Sequence, residues 1–328
     1  MPKRLLVLAS LLLAQPAIAQ PPFEQPLTPE TKIPLGDVSG RIDHFAYDPA
    51  DRLLFVAELG NDSVGIVDLK NGKTRRLTGL REPQGLAWHA ATRTLYVANA
   101  GDGSVRLYQG PGFTPAGTIA LGNDADNIRV DGKRDRIVVG YGSGGLAVID
   151  PTSRRKVADI ALKGHPESFQ FDEEGRRIFV NVPGARQVAV VDAGQGKQVS
   201  TLDPGGARSN FPMAVDALKH RVLVVTRSPA QLIAFSTQDG RRVAIVETCG
   251  DADDVFVDDR RQRVYVACGD GLVEVFGPHG DGYQSIGKIP TVSGARTALF
   301  VADADRLYVA VRARFREPAA IWVFRPAP

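Results

Sequence analysis

The chain has 328 residues, 43% of them hydrophobic and 23% charged, with two cysteines and a formal charge of +3. Setting aside a basic head at Lys3 and Arg4 leaves the remainder close to neutral, which excludes a general attraction to nucleic acid or anionic lipid. Two cysteines exclude a disulfide-dense scaffold, so stability must come from packed apolar surface, and the length is ample for that.

Lys3 and Arg4 precede the apolar runs Leu5 to Leu8 and Leu11 to Leu13, and Ala17-Ile18-Ala19 supplies a small-x-small site. Residues 1–19 therefore read as a cleaved secretory signal, with Gln20 as the first mature residue. A polar, proline-containing segment over 20–30 is expected to be flexible, and residues 31–328 form a single domain. No later stretch is long and apolar enough for a membrane helix. The expected product is exported, soluble and monomeric, and periplasmic if the cell is Gram-negative.

Seven valines, Val56, Val97, Val139, Val180, Val224, Val266 and Val309, recur at intervals of 41 to 44 residues, each ending a short apolar run. A period of that size means one supersecondary unit copied seven times. In the first copy, His44 to Tyr47, Leu53 to Ala57, Val64 to Leu69 and Thr74 to Thr78 read as strands. Asp48 to Asp51, Leu59 to Asp62 and Asn71-Gly72 are the turns between them. No segment keeps a helical period. The fold class predicted is all-β: a seven-bladed β-propeller of four-stranded antiparallel blades.

The seventh copy stops after its third strand, Ala320 to Phe324. Its missing strand is found near the other terminus, where Lys32-Ile33-Pro34-Leu35 echoes Lys288-Ile289-Pro290 of the sixth copy. The N-terminal strand is thus expected to complete blade seven and close the ring. Pro34 suits an outer edge, where a missing donor is tolerated.

Tyr96-Val97-Ala98-Asn99, with Phe55-Val56-Ala57-Glu58, Tyr265-Val266-Ala267-Cys268 and Tyr308-Val309-Ala310-Val311, resembles the Tyr-Val-Thr-Asn repeat of YVTN-type propellers, which include exported YncE-like proteins. The resemblance covers about residues 31–328 and implies a seven-bladed ring. It implies no single shared chemistry.

In such a ring the first strands line a central channel and their starts open on one mouth. The positions reaching it are Asp43, Gln84, Asp126, Glu167, Phe211, Asp253 and Arg296, followed by His44, Asn127 and Asp254 among the next places. Four of the seven first positions are acidic. Converging carboxylates suit a hard cation such as Ca²⁺ or Mg²⁺, or a polar ligand; equally, a water-filled mouth is polar for no further reason. His44 and His165 fall near this mouth beside Asp43 and Glu167, on opposite parts of the ring, while His89 and His220 belong to turns of the far face.

A basic counterpart is formed by Arg312, Arg314, Phe315 and Arg316 in the turn of blade seven, with Arg186, Arg227 and Arg296 on the same face. Interleaved Arg and aromatic side chains can stack on single-stranded DNA, and some YncE-like proteins are linked with it, but the near-neutral charge disfavours that partner. Cys249, entering blade six, and Cys268, ending its second strand, are expected to form a disulfide. Gly140 to Gly145 satisfies G-x-G-x-x-G, yet a strand follows it rather than a helix, so it reads as a hairpin turn. H-E-x-x-H, G-x-S-x-G, Walker and C-x-x-C patterns do not occur.

The function these features predict is a non-catalytic exported scaffold that binds a small ligand or a periplasmic protein at the channel mouth. The alternative is a divalent-metal hydrolase similar to six-bladed lactonases, with Glu58, Asn99, Asn127 and Asp253 as the donors that resemblance implies.

Overall fold

The computed structural model describes residues 25–315 and 317–328, so the proposed signal segment and Arg316 lie outside the described residues. Within them the chain forms seven antiparallel sheets of four strands each, without an α-helix and so without a helix able to cross a membrane.

The valine period marks one structural position. Val56 pairs with Phe45, Val97 with Leu86, Val139 with Ile128, Val180 with Phe169, Val224 with Met213, Val266 with Val255 and Val309 with Ala298. In every copy, therefore, the second strand presents a fully buried valine to the first. These second strands are covered on both faces by neighbouring blades, which is why they read as continuous apolar runs rather than as alternating ones. Many first strands end on a buried aspartate whose side chain accepts backbone N–H bonds from the following turn, as Asp48 does from Ala50 and Asp131 from Lys133.

Each first strand packs on the next around the ring, and Ala298–Val301 returns to Phe45–Asp48. The core is divided into seven clusters, one at each blade interface. Between blades one and two, for example, Phe55 stacks on Trp88 with ring centroids 5.6 Å apart, and Phe113 meets Phe55 edge-on at 5.3 Å. The fourth strands form the rim and are mostly exposed, as in Arg155–Ala161.

Closure occurs as the sequence predicts. Strand Leu27–Gly36 pairs antiparallel with Ala319–Pro326, with Ile33 opposite Ile321 and Pro34 opposite Ala320. Of the segment expected to be flexible over 20–30, residues 27–30 belong to this strand, while residues 20–24 lie outside the described residues. Leu27 is fully buried in the cluster between blades six and seven, and Glu30 pairs with Arg306 and Arg325. Cys249 and Cys268 form the expected disulfide, with Cα atoms 5.9 Å apart. Tyr141 and Gly145 face each other across the glycine-rich hairpin.

Candidate functional site: the channel mouth

The first strands do not start regularly. In blades two, three, five and six the register against the second strand slips between Pro83 and Leu86, Ala125 and Ile128, Asn210 and Met213, and Ala252 and Asp254. In blade one, Asp43 N–H donates to Ala57 C=O while Ala57 N–H donates to His44 C=O, so two residues oppose one. Glu167 and Ser168 repeat this against Asn181. Each is a bulge, which carries one extra residue and re-aims its side chains. Bulging lets consecutive residues such as Asp43 and His44 both reach the channel, which a regular strand would not allow.

The bulged starts enclose a chamber of about 260 Å³. Of the residues predicted at the mouth, Asp43, His44, Gln84, Asp126, Glu167, Asp253 and Arg296 line it, and Phe211 joins them. Asp254 does not: it faces deeper into the channel and accepts Ala298 N–H at 2.8 Å. Asn127 is buried and lines neither space. Sequence reasoning placed Arg227 on this face without assigning it to the mouth and left Arg41 and Asp124 out, although Asp124 belongs to an Asp-Ala-Asp wording repeated at Asp251. His165 also lines the chamber, but its carboxylate partners are Asp124 and Asp126, at 3.5 and 3.6 Å, rather than Glu167. His44 and His165, expected on distant parts of the ring, share one space because the chamber spans the channel.

Two sides of the chamber differ in how their charges are met. Arg227 and Arg296 each bridge Asp251 and Asp253, Arg227 reaching Asp253 at 2.6 Å and Arg296 reaching it at 2.9 Å. Asp43, on the blade beside that of Arg296, is only 1% exposed, and its Oδ2 is met by Arg41 at 3.0 Å. Its Oδ1 has no hydrogen-bond partner, and neither has the equally buried Oδ1 of Asp126.

Five carboxylates, Asp43, Asp124, Asp126, Glu167 and Asp253, share the chamber with five bases, Arg41, His44, His165, Arg227 and Arg296. Burial opposes the charged form of His44, yet Asp43, Asp254 and Asp126 together push it up to about 10. The hydrogen bond to Asp126, with Asp124 nearby, lifts His165 to about 9. Burial, reinforced by Asp126, raises Glu167 to about 7, and burial also raises Asp43, Asp253 and Asp254. The histidine protons are held by neighbouring carboxylates, and those on the carboxyls by burial.

The donor set of the metal-hydrolase alternative does not assemble. Glu58 is fully buried, accepting from Ser63 Oγ at 2.5 Å and Arg76 Nε at 2.7 Å. Asn99 donates to Val97 C=O and accepts Arg81 N–H. Both hold strand ends together, and neither lines the chamber. Among the described residues no three His, Cys, Asp or Glu side chains converge at metal-binding spacing.

The basic turn of blade seven stands apart from the mouth. Arg312 reaches Gly294 C=O, Arg314 exchanges backbone bonds with Glu317, Phe315 is fully exposed, and Arg316 falls outside the described residues. On the far face, His89 is buried and bonds Thr92 and Asp135 at 2.8 and 2.7 Å, a structural contact.

A closed ring of seven four-stranded blades around an axial channel defines the class: this is a seven-bladed β-propeller. Solved structures agree on the fold. A chain of Kuenenia stuttgartiensis hydrazine synthase is similar over 89% of this chain and 97% of its own, with TM-score 0.75 and 18% identity. A chain from the crystal structure of a mitotic checkpoint complex is similar over 100% of both chains, with TM-score 0.77 and 14% identity. Identities this low speak for the fold alone. No family model matches the sequence, and no curated protein is similar to it.

Proposed function

We propose that this chain is an exported propeller of the YVTN type that acts as a binding protein, with the channel mouth as the site for a small organic cation bearing an ammonium group. One observation carries the reading: Asp43 and Asp126 line the same chamber, and Oδ1 of each is buried without a hydrogen-bond partner, His44 Nε2 coming no nearer to Asp43 Oδ1 than 3.9 Å. A buried carboxylate oxygen without a partner costs the full desolvation of that group, so a ligand bringing N–H donors and positive charge is rewarded at both. An ammonium ion suits carboxylates spread over several blades better than a single metal ion, which needs its ligands within one coordination shell.

Calorimetric titration tests this with primary ammonium ions such as ethanolamine and putrescine, tetramethylammonium as a cation without N–H, and Ca²⁺ and Mg²⁺. Saturable binding of a primary ammonium is expected, at least tenfold weaker for tetramethylammonium and for the Asp43→Asn, Asp126→Asn double variant. No saturable binding of any amine, or tighter binding of Ca²⁺ or Mg²⁺, would overturn it. The export component is read by N-terminal sequencing of protein recovered from the cell, with Gln20 expected first.

A further inference from the structure

Next to the mouth chamber lies a second one of about 270 Å³ with a different lining. Leu86, Ile128, Phe256 and Leu299, from four blades, supply much of its wall, and its polar side chains are His44, Arg129, Gln170 and Asp254. His44 lines both spaces.

Arg129 is the unusual group. Its Nη1 donates to the carbonyl of its own neighbour Ile128 at 2.9 Å. Its Nη2 reaches Ser168 Oγ only at 3.4 Å, and the Phe169 ring lies 5.9 Å away. Among the described residues no carboxylate forms an ion pair with it, whereas Arg227 and Arg296 above each hold two. A guanidinium offers five N–H donors in a planar fork, and most of this one's are free. Charges in apolar surroundings are ordinarily paired, since an unpaired one is costly. Asp254, the carboxylate of this chamber, is already engaged by Ala298 N–H and faces His44 at 3.7 Å. Among the ionisable groups of the lower chamber, His44 and Arg129 thus face a single carboxylate, Asp254.

We propose that the lower chamber is a second binding site, for a small monocarboxylate with an apolar body. The carboxylate pairs with the Arg129 fork, and the body packs on Leu86, Ile128, Phe256 and Leu299. One guanidinium in an apolar wall matches one negative charge; a phosphate dianion would bring oxygens for which that wall has no donors. The volume, at the small end of ligand cavities, sets the size of the acid.

Benzoate is a suitable probe, with benzamide as its neutral counterpart, titrated calorimetrically into the full chain. Wild-type protein is expected to bind benzoate saturably at one site, at least tenfold more tightly than benzamide. Arg129→Met, which keeps the length of the side chain, should lose at least tenfold in benzoate affinity, while Asp43→Asn with Asp126→Asn retains benzoate binding. This last arm separates the site from the ammonium site above. No saturable benzoate binding, equal affinity for benzamide, or a folded Arg129→Met with wild-type affinity would overturn the proposal. The benzoate and benzamide comparison decides it on wild-type protein even if the variant fails to fold. Chloride binding as tightly as benzoate would also overturn it, by removing the role of the apolar wall.

Discussion

His44 Nδ1 stands 3.7 Å from Asp254 Oδ1, so one imidazole closes the floor of the upper chamber while facing a carboxylate of the lower one. Against the effect of burial, Asp43 first, then Asp254 and Asp126, hold the imidazolium well above its ordinary 6.5, at about 10. A histidine raised on folding contributes stability that is complete below 6.5 and is lost as pH climbs through its folded value. Melting temperature should therefore fall as pH rises through about 9, where His165 releases its proton, and about 10. In a His44→Asn, His165→Asn variant this alkaline step should shrink; an unchanged step would assign it elsewhere.

Glu167 titrates in the same sense at lower pH. Its carboxyl moves from an ordinary 4.5 up to about 7, so the folded state binds more protons than the unfolded one between those values and stability declines as pH rises across them. Glu167→Gln should raise the melting temperature by about 2–4 °C at pH 8 and change it little at pH 4. Proposed ammonium binding should also strengthen from pH 6 to pH 8 as Glu167 ionises. Affinity independent of pH would detach Glu167 from the site.

Gly85 lies where the first strand of blade two runs close against that of blade three. A Cβ at this position would press into the backbone carbonyl of Asp126, well inside van der Waals contact, and also against Ile128. Backbone cannot yield as a side-chain tip can, so Gly85→Ala should cost about 1–3 kcal/mol. It should also weaken ligand binding at Asp126, measured by denaturation and titration of the same variant. A substitution at Gly72, whose surroundings are open, is the control for crowding, though its positive φ of 73° adds local strain.

The Cys249–Cys268 bridge closes a loop with a sequence separation of 19, for which chain entropy predicts about 3 kcal/mol of stabilisation. Cys249→Ser with Cys268→Ser should lower the melting temperature by about 6 °C or more, and reductant should lower that of wild type alone. A reductant effect of equal size in the variant would show that it acts by another route.

Leu35, 1% exposed at the junction of blades seven and one, anchors the closing strand. Leu35→Ala should cost about 2–5 kcal/mol and increase hydrogen exchange preferentially in Ala319–Pro326, its pairing partner. Uniform exchange throughout the ring would mean that closure is no weaker than any other seam.

The architecture was legible because its signals are periodic. Seven buried valines share one register, and Ile33 could be placed opposite the final strand by noticing which copy lacked a fourth one. The mouth was partly legible: Asp43, Asp126 and Asp253 follow from counting along a strand. What counting could not supply was the inserted residue in each bulge. It sends Asp254 into the lower chamber, leaves Asn127 buried outside both, and brings His165 to Asp124 and Asp126 rather than to Glu167. Glu58 and Asn99 have ligand-like chemistry, but their partners Ser63, Arg76 and Arg81 become neighbours only through turn geometry. Arg129 gave no signal at all, since a lone arginine within a strand reads as solvent-facing until the ring turns it inward.

Closure through Leu27–Gly36 and Ala319–Pro326 also fixes an order of events during synthesis. The strand that leaves the ribosome earliest has no partner until the final hairpin has emerged, so for most of translation its edge and the apolar side chains Leu27 and Leu35 stay uncovered. A chain of this length spends on the order of tens of seconds in that state. Pairing of the two strands thus removes an open edge of the kind that associates with other chains, so closure protects the propeller from edge-to-edge association.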